Sequence, residues 1–186
     1  MHHSVLLVPG IGNSGPSHWQ SLWQSSHPNW RRLMVEHWDK VECEDWVSAL
    51  ERQLVNAPAG TLLVAHSLGC LAVAHWAVQS QKKLGGALLV AVPDPASSSF
   101  PRCAAHGFLP LPSEQLRFPT LVVSSTDDPY GSVEHSRECA NAWGSEFVNV
   151  GAKGHLNAES NLGAWPEGLE LLARISTSID YGQGKL

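Results

Sequence analysis

The chain has 186 residues, enough for one domain with a sizeable core, and its 43% hydrophobic and 16% charged composition is that of a globular protein. A formal net charge of -5 and the lack of any Lys/Arg cluster argue against nucleic acid or an anionic membrane as the main partner. No apolar run is long enough to cross a bilayer, and no leader pattern precedes the first strand-like run. Cys43, Cys70, Cys103 and Cys139 lack paired metal spacing, so the expectation is four reduced thiols in a cytoplasmic protein.

In chain order, residues 4–8 read as a first strand, followed by a glycine-rich loop over 9–16 and a helix over 18–24. A second strand is expected over 33–36. An amphipathic helix follows over 44–55, with Trp46, Val47, Leu50 and Leu54 on one face. The third strand, 61–65, leads into a helix over 68–79, and 87–92 is a fully apolar fourth strand. Residues 121–124, 133–143 and 146–150 read as strand, helix and strand, and 165–175 as the last helix, with Leu169, Leu172 and Ile175 on one stripe. Residues 180–186 read as a frayed tail. Alternating helices and nearly all-apolar strands predict an α/β fold in one domain over 1–186: a mostly parallel six-stranded sheet covered on both faces. The proline-rich stretch 93–119 is the irregular part, long enough to be functional or mobile and too short for a large lid.

The most informative segment is Leu62-Leu63-Val64-Ala65-His66-Ser67-Leu68-Gly69-Cys70. It predicts a strand, a sharp turn with Ser67 at its apex, and a helix. Such a turn lifts the serine oxygen out of the sheet and aims the first helical amides at whatever it attacks. The residues two before and two after must be small, and here they are Ala65 and Gly69. Ala65 departs by one methyl from the usual G-x-S-x-G. A serine N-cap at an ordinary strand-to-helix connection is the plainer alternative.

A serine hydroxyl needs a base to take its proton and an acid to orient that base. The loops after the last two strands offer both: Ser125-Thr126-Asp127-Asp128-Pro129 and Gly151-Ala152-Lys153-Gly154-His155. They lie at the strand ends where α/β sheets bind ligands. His155 is preferred as the base because of that loop position. His66 reads as packing or bonding locally, His75 as a mid-helix structural residue, and His135 as lying early in a helix. His18, His27, His37 and His106 lie outside the late strand-end loops. Of the adjacent carboxylates Asp128 is preferred, because Pro129 biases it to extended backbone that carries it toward the last loop. Asp127 and Asp94 are the alternatives. The Leu68 amide and the Ile11 amide of the first loop are the candidate oxyanion donors. Gly10-Ile11-Gly12-Asn13-Ser14-Gly15 also fits a dinucleotide loop formally, but Pro16 follows at once and Ser67 would be left without a role.

Taken together, Val8-Pro9-Gly10, His18-Trp19-Gln20-Ser21-Leu22-Trp23, Trp38-Asp39, Asp45-Trp46-Val47, His66-Ser67-Leu68-Gly69, Ser125-Thr126-Asp127-Asp128-Pro129-Tyr130 and Gly154-His155-Leu156-Asn157 resemble a known pattern. It is that of the small lidless serine hydrolases among the α/β hydrolases, the family of retinoblastoma-binding protein 9 and the bacterial YdeN-type proteins. The resemblance implies a nucleophile at Ser67, an acid at Asp128, a base at His155 and sheet order 2-1-3-4-5-6. The family often has proline shortly after its Trp-Asp pair, where this chain has Lys40-Val41.

The resulting expectation is a serine hydrolase, esterase-like, that cleaves a small ester, thioester or amide with no metal or organic cofactor. Its partner would be a small acyl substrate, with no nucleic acid or membrane. The alternative is a protein-binding module on a hydrolase scaffold, with tryptophans such as Trp19, Trp23 and Trp30 as anchors. A lyase or C–C-cleaving enzyme would keep the same serine without an acyl-enzyme.

Overall fold

The computed structural model describes residues 3–183. Its strands and helices are β1 (Val5–Val8), α1 (Trp19–Ser26), β2 (Arg31–Arg32), β3 (Val41–Glu42), α2 (Cys43–Leu54), β4 (Leu62–His66), α3 (Leu68–Gln79), β5 (Gly86–Val90), β6 (Ala105–His106), β7 (Thr120–Ser124), α4 (Val133–Trp143), β8 (Glu146–Asn149) and α5 (Pro166–Gln183). Six strands form one parallel sheet in the order β2-β1-β4-β5-β7-β8. Counted as the six expected strands, this is 2-1-3-4-5-6.

The sheet divides the core in two, because side chains alternate along each strand. Leu6, Val8, Leu63, Ala65, Ala87, Leu89 and Val122 pack with α2, α3 and α4. Val5, Leu7, Leu62, Val64, Leu88, Val90, Leu121 and Val123 pack with α1 and α5. Both faces are therefore buried, which is why the central strands are apolar without a break. Helix α3 is apolar all round and buried through most of its length, as a helix between the sheet and an outer layer must be. Among the described residues, no helix is long and apolar enough to cross a membrane.

The structure differs from expectation in four places. The second strand is two residues long and pairs Arg31 and Arg32 with Leu6 and Leu7; Leu33 N–H extends it by one bond to Leu7 O, and Met34 beyond is 70% exposed. The stretch after β5 is not a bare loop. Its β6 pairs in parallel with β3, and Phe100, Phe108, Leu116 and Phe118 enter the core. Helix α5 continues to Gln183 through most of the expected tail, whose residues 184–186 lie outside the described range. Trp19 and Trp23 are buried rather than exposed anchors: their indole N–H groups donate to Leu156 O and Ala164 O, tying α1 to the segment before α5.

Candidate active site

Strand β4 ends at His66 and α3 begins at Leu68, so one residue makes the whole turn. Ser67 takes φ 53° and ψ -126°, a conformation costly for a non-glycine residue, and its N–H donates to Val90 O at 2.9 Å. The turn sits hard against the end of β1. A Cβ on Gly69 would lie 2.4 Å from Val8 O and 2.5 Å from Pro9 O, so no larger residue fits without backbone movement. A Cβ on Gly10 would lie 2.8 Å from Ser67 Cβ. This contact brings the first loop to the serine.

His155 Nε2 lies 2.8 Å from Ser67 Oγ. On its other side Nδ1 lies 2.8 and 2.9 Å from the two oxygens of Asp128. The carboxylate can only accept there, so Nδ1 carries the proton and Nε2 presents a lone pair to the Ser67 hydroxyl. The side chains of His155 and Asp128 are 9% and 2% exposed, and the Tyr130 N–H donates to Asp128 Oδ1 at 2.9 Å. The Tyr130 ring stands at 64° to the imidazole, with centroids 4.6 Å apart.

The adjacent carboxylates divide the work. Asp127 turns the other way: its Oδ1 accepts from Ser125 Oγ at 2.8 Å and from Gly154 N–H at 2.7 Å. Ser125 Oγ in turn accepts from Lys153 N–H at 2.8 Å. Asp127 thus grips the backbone of the loop whose next residue Asp128 grips by its ring. The Ser125 hydroxyl, then the Gly154 amide, hold the Asp127 carboxyl below the usual range. Asp94 does not approach His155. It caps Ala96 N–H and lies 4.0 Å from His135 Nδ1.

His66 bonds across the site rather than locally. Its Nε2–H donates to the His155 carbonyl at 2.9 Å, fixing the base loop to the turn from below. Burial lowers its pKa well below the ordinary value, so the ring is neutral. His75 bonds Phe108 O and takes no part in the hydrogen-bond line from Ser67 through His155 to Asp128.

The first loop is a built structure. Asn13 N–H closes a turn on Gly10 O, with Gly12 at φ 76° and Asn13 at φ 64°. The fully buried Gln20 amide donates to Val64 O at 3.0 Å and accepts from Ser14 Oγ at 2.6 Å. Arg32 donates to Asn13 Oδ1, Ser14 O, Ser21 Oγ and Gln24 Oε1 at 2.7–3.0 Å. The dinucleotide alternative fails here: a turn over Pro16 and Ser17 intervenes and α1 starts only at Trp19. Ile11 and Leu68 both border a cleft of about 360 Å³ that opens over Ser67. Leu68 is the first residue of α3, so its N–H has no acceptor within the helix. Phe100, Pro101 and Pro93 of the proline-rich stretch line one side, and Asn157, Ala158 and Glu159 another. These wall residues were beyond sequence reasoning, because nothing in their spacing marks them. No group of His, Cys, Asp and Glu suited to a metal occurs among the described residues.

The chain matches the serine hydrolase family over residues 5–174. It belongs to that family. A crystal structure described as a YdeN-like hydrolase, from Pectobacterium atrosepticum, is 34% identical, with a TM-score of 0.83 over 96% of this chain and 92% of that one. The ydeN gene product of B. subtilis is 20% identical, with a TM-score of 0.71 over 95% of this chain and all of that one. A thioesterase domain from the curacin biosynthetic pathway shares the fold at 17% identity, with a TM-score of 0.63 over 95% and 91% of the two chains. A search of the curated proteins gives no match.

Proposed function

We propose that this serine hydrolase cleaves a small ester, thioester or amide through an acyl-enzyme on Ser67. The observation that carries the reading is the unbroken hydrogen-bond line from Ser67 Oγ through His155 to Asp128. In the proposed cycle His155 Nε2 takes the Ser67 proton as Oγ attacks the carbonyl carbon. Asp128 stabilises the imidazolium that forms, and the Ile11 and Leu68 amides receive the oxyanion. The imidazolium then protonates the leaving oxygen, sulfur or nitrogen. Water enters, gives a proton to Nε2 as its oxygen attacks the acyl carbon, and the second intermediate then collapses: the bond from that carbon to Ser67 Oγ breaks, the imidazolium returns its proton to Oγ, and the acid departs.

A cleft near the lower end of the usual range for ligand sites supports a small acyl group over a long lipid chain. The esterase- and thioesterase-type folds among the similar structures agree with acyl transfer. A fluorophosphonate probe followed by intact-protein mass tests the reading. The expected result is one adduct, on Ser67, absent from Ser67→Ala; no adduct under conditions that label a control esterase refutes it.

A further inference from the structure

The cleft over Ser67 holds about 360 Å³, and a second cleft, within the proline-rich stretch, holds about 220 Å³. Phe100 is the one residue common to the two linings. The second cleft takes apolar surface from Pro95, Ala105, Phe108 and Leu109, with Arg102 and His106 as its polar residues. Phe100 is 7% exposed, and its ring meets that of Phe108 at 65°, with centroids 6.3 Å apart. Its backbone is tied on both sides: the N–H donates to Ser97 O at 3.4 Å and the carbonyl accepts the Arg102 N–H at 2.8 Å.

The base fixes which part of a substrate comes to Phe100. His155 Nε2 must reach the leaving atom, so the leaving group lies on the side of the base and the acyl chain on the other. Leu156, next to His155, packs in the half of the core that α1 and α5 cover, and Phe100 packs in the opposite half. The acyl chain is therefore directed toward Phe100.

We propose that the Phe100 ring is the end wall of the acyl pocket and limits the enzyme to short acyl chains by closing the first cleft against the second. The inference rests on the acyl-enzyme reading above and adds the residue that sets chain length. A chain that outgrows the first cleft must displace a packed ring or leave its last methylenes in water. One methylene in an apolar pocket changes kcat/KM by about 10–200-fold. Without the ring the two clefts become continuous, and the apolar residues of the second bury the added methylenes.

The ratio of kcat/KM for p-nitrophenyl octanoate to that for p-nitrophenyl butyrate, measured on one protein, cancels any general loss of activity. Wild type should favour butyrate by on the order of tenfold or more. Phe100→Ala should raise the octanoate-to-butyrate ratio on the order of tenfold to a hundredfold, Phe100→Leu should raise it less, and Phe100→Trp should lower it. Removing a buried ring weakens the core, so thermal unfolding is measured first. If Phe100→Ala is unfolded at the assay temperature, the Leu and Trp variants decide the matter. A wild-type preference for octanoate overturns the proposal, as do folded variants that keep the wild-type ratio. Wild-type protein that takes no fluorophosphonate label at Ser67 would instead remove the hydrolase reading, and this inference with it. Labelling with an unmoved ratio removes this inference alone.

Discussion

Gly69→Ala tests the geometry on which the site depends. The added methyl would sit 2.4 Å from Val8 O and 2.5 Å from Pro9 O, where ordinary contact begins near 3.4 Å. Both obstacles are backbone, one at the end of β1, the other entering the first loop, so no rotamer change relieves them. Either α3 or the β1 end must retreat by about 1 Å. Overpacking of this kind costs about 1–3 kcal/mol, or a fall of roughly 2–12 °C in Tm for a chain of this size. The functional loss should be larger than the loss of stability suggests. The same displacement separates Ile11 from Leu68, and misplacement by about 1 Å can lower a rate by about a hundredfold. Differential scanning calorimetry beside ester kcat/KM at a temperature where the variant is folded would read both. A Gly69→Ala protein with wild-type Tm and activity would refute the packing argument and the pairing of the two amides together.

Ser67→Ala should lose turnover and labelling while retaining the wild-type circular dichroism spectrum and melting curve. His155→Ala should lose at least about a thousandfold in kcat if the three groups act as a unit, measured under single turnover. Asp128→Asn should fall by several orders of magnitude, because an amide cannot hold the Nδ1–H tautomer as a carboxylate does; Asp127→Asn, which faces backbone and a hydroxyl, should lose on the order of tenfold. Stability should decline on acidification. Burial lowers the pKa of both His18 and His66 in the fold, so the unfolded chain binds more protons below the ordinary value of 6.5. Stability is then full above pH 6.5 and falls from there toward pH 4, with His18 alone contributing a loss of roughly 2 kcal/mol by pH 5. Urea unfolding at pH 7.5, 6 and 5 would show it, and a flat profile would contradict the assignment.

Those parts of the chain whose signal is local were legible before any coordinates. The apolar runs that became β1, β4, β5 and β7 are buried on both faces, and a stretch such as Leu62-Leu63-Val64 has few other fates. The Ser67 turn announced itself because small residues must flank it, and Gly69 has a clear steric reason. Edge strand β2 was misplaced because it is held by ladder bonds to β1 and by the guanidinium of Arg32, neither of which leaves a hydrophobic pattern. The pairing of β3 with β6 joins two residues to two others more than sixty positions away, in a proline-rich segment without periodicity. Asp127 and Asp128 could be separated only by the backbone bias of Pro129, and the grip of Asp127 on Gly154 is wholly tertiary. His18 reads in sequence as one histidine among ten. Its part as the N-cap of α1 depends on Nδ1 meeting the Gln20 N–H, a contact that leaves no mark in the composition.

The opposed holds of Asp127 and Asp128 on one short loop, at Gly154 and His155, have a kinetic corollary. The imidazole is already seated in the resting protein, so the arrival of a ligand need not recruit it. Reaction with a fast covalent probe should therefore begin without a lag, with no slow rearrangement of the imidazole before the first turnover.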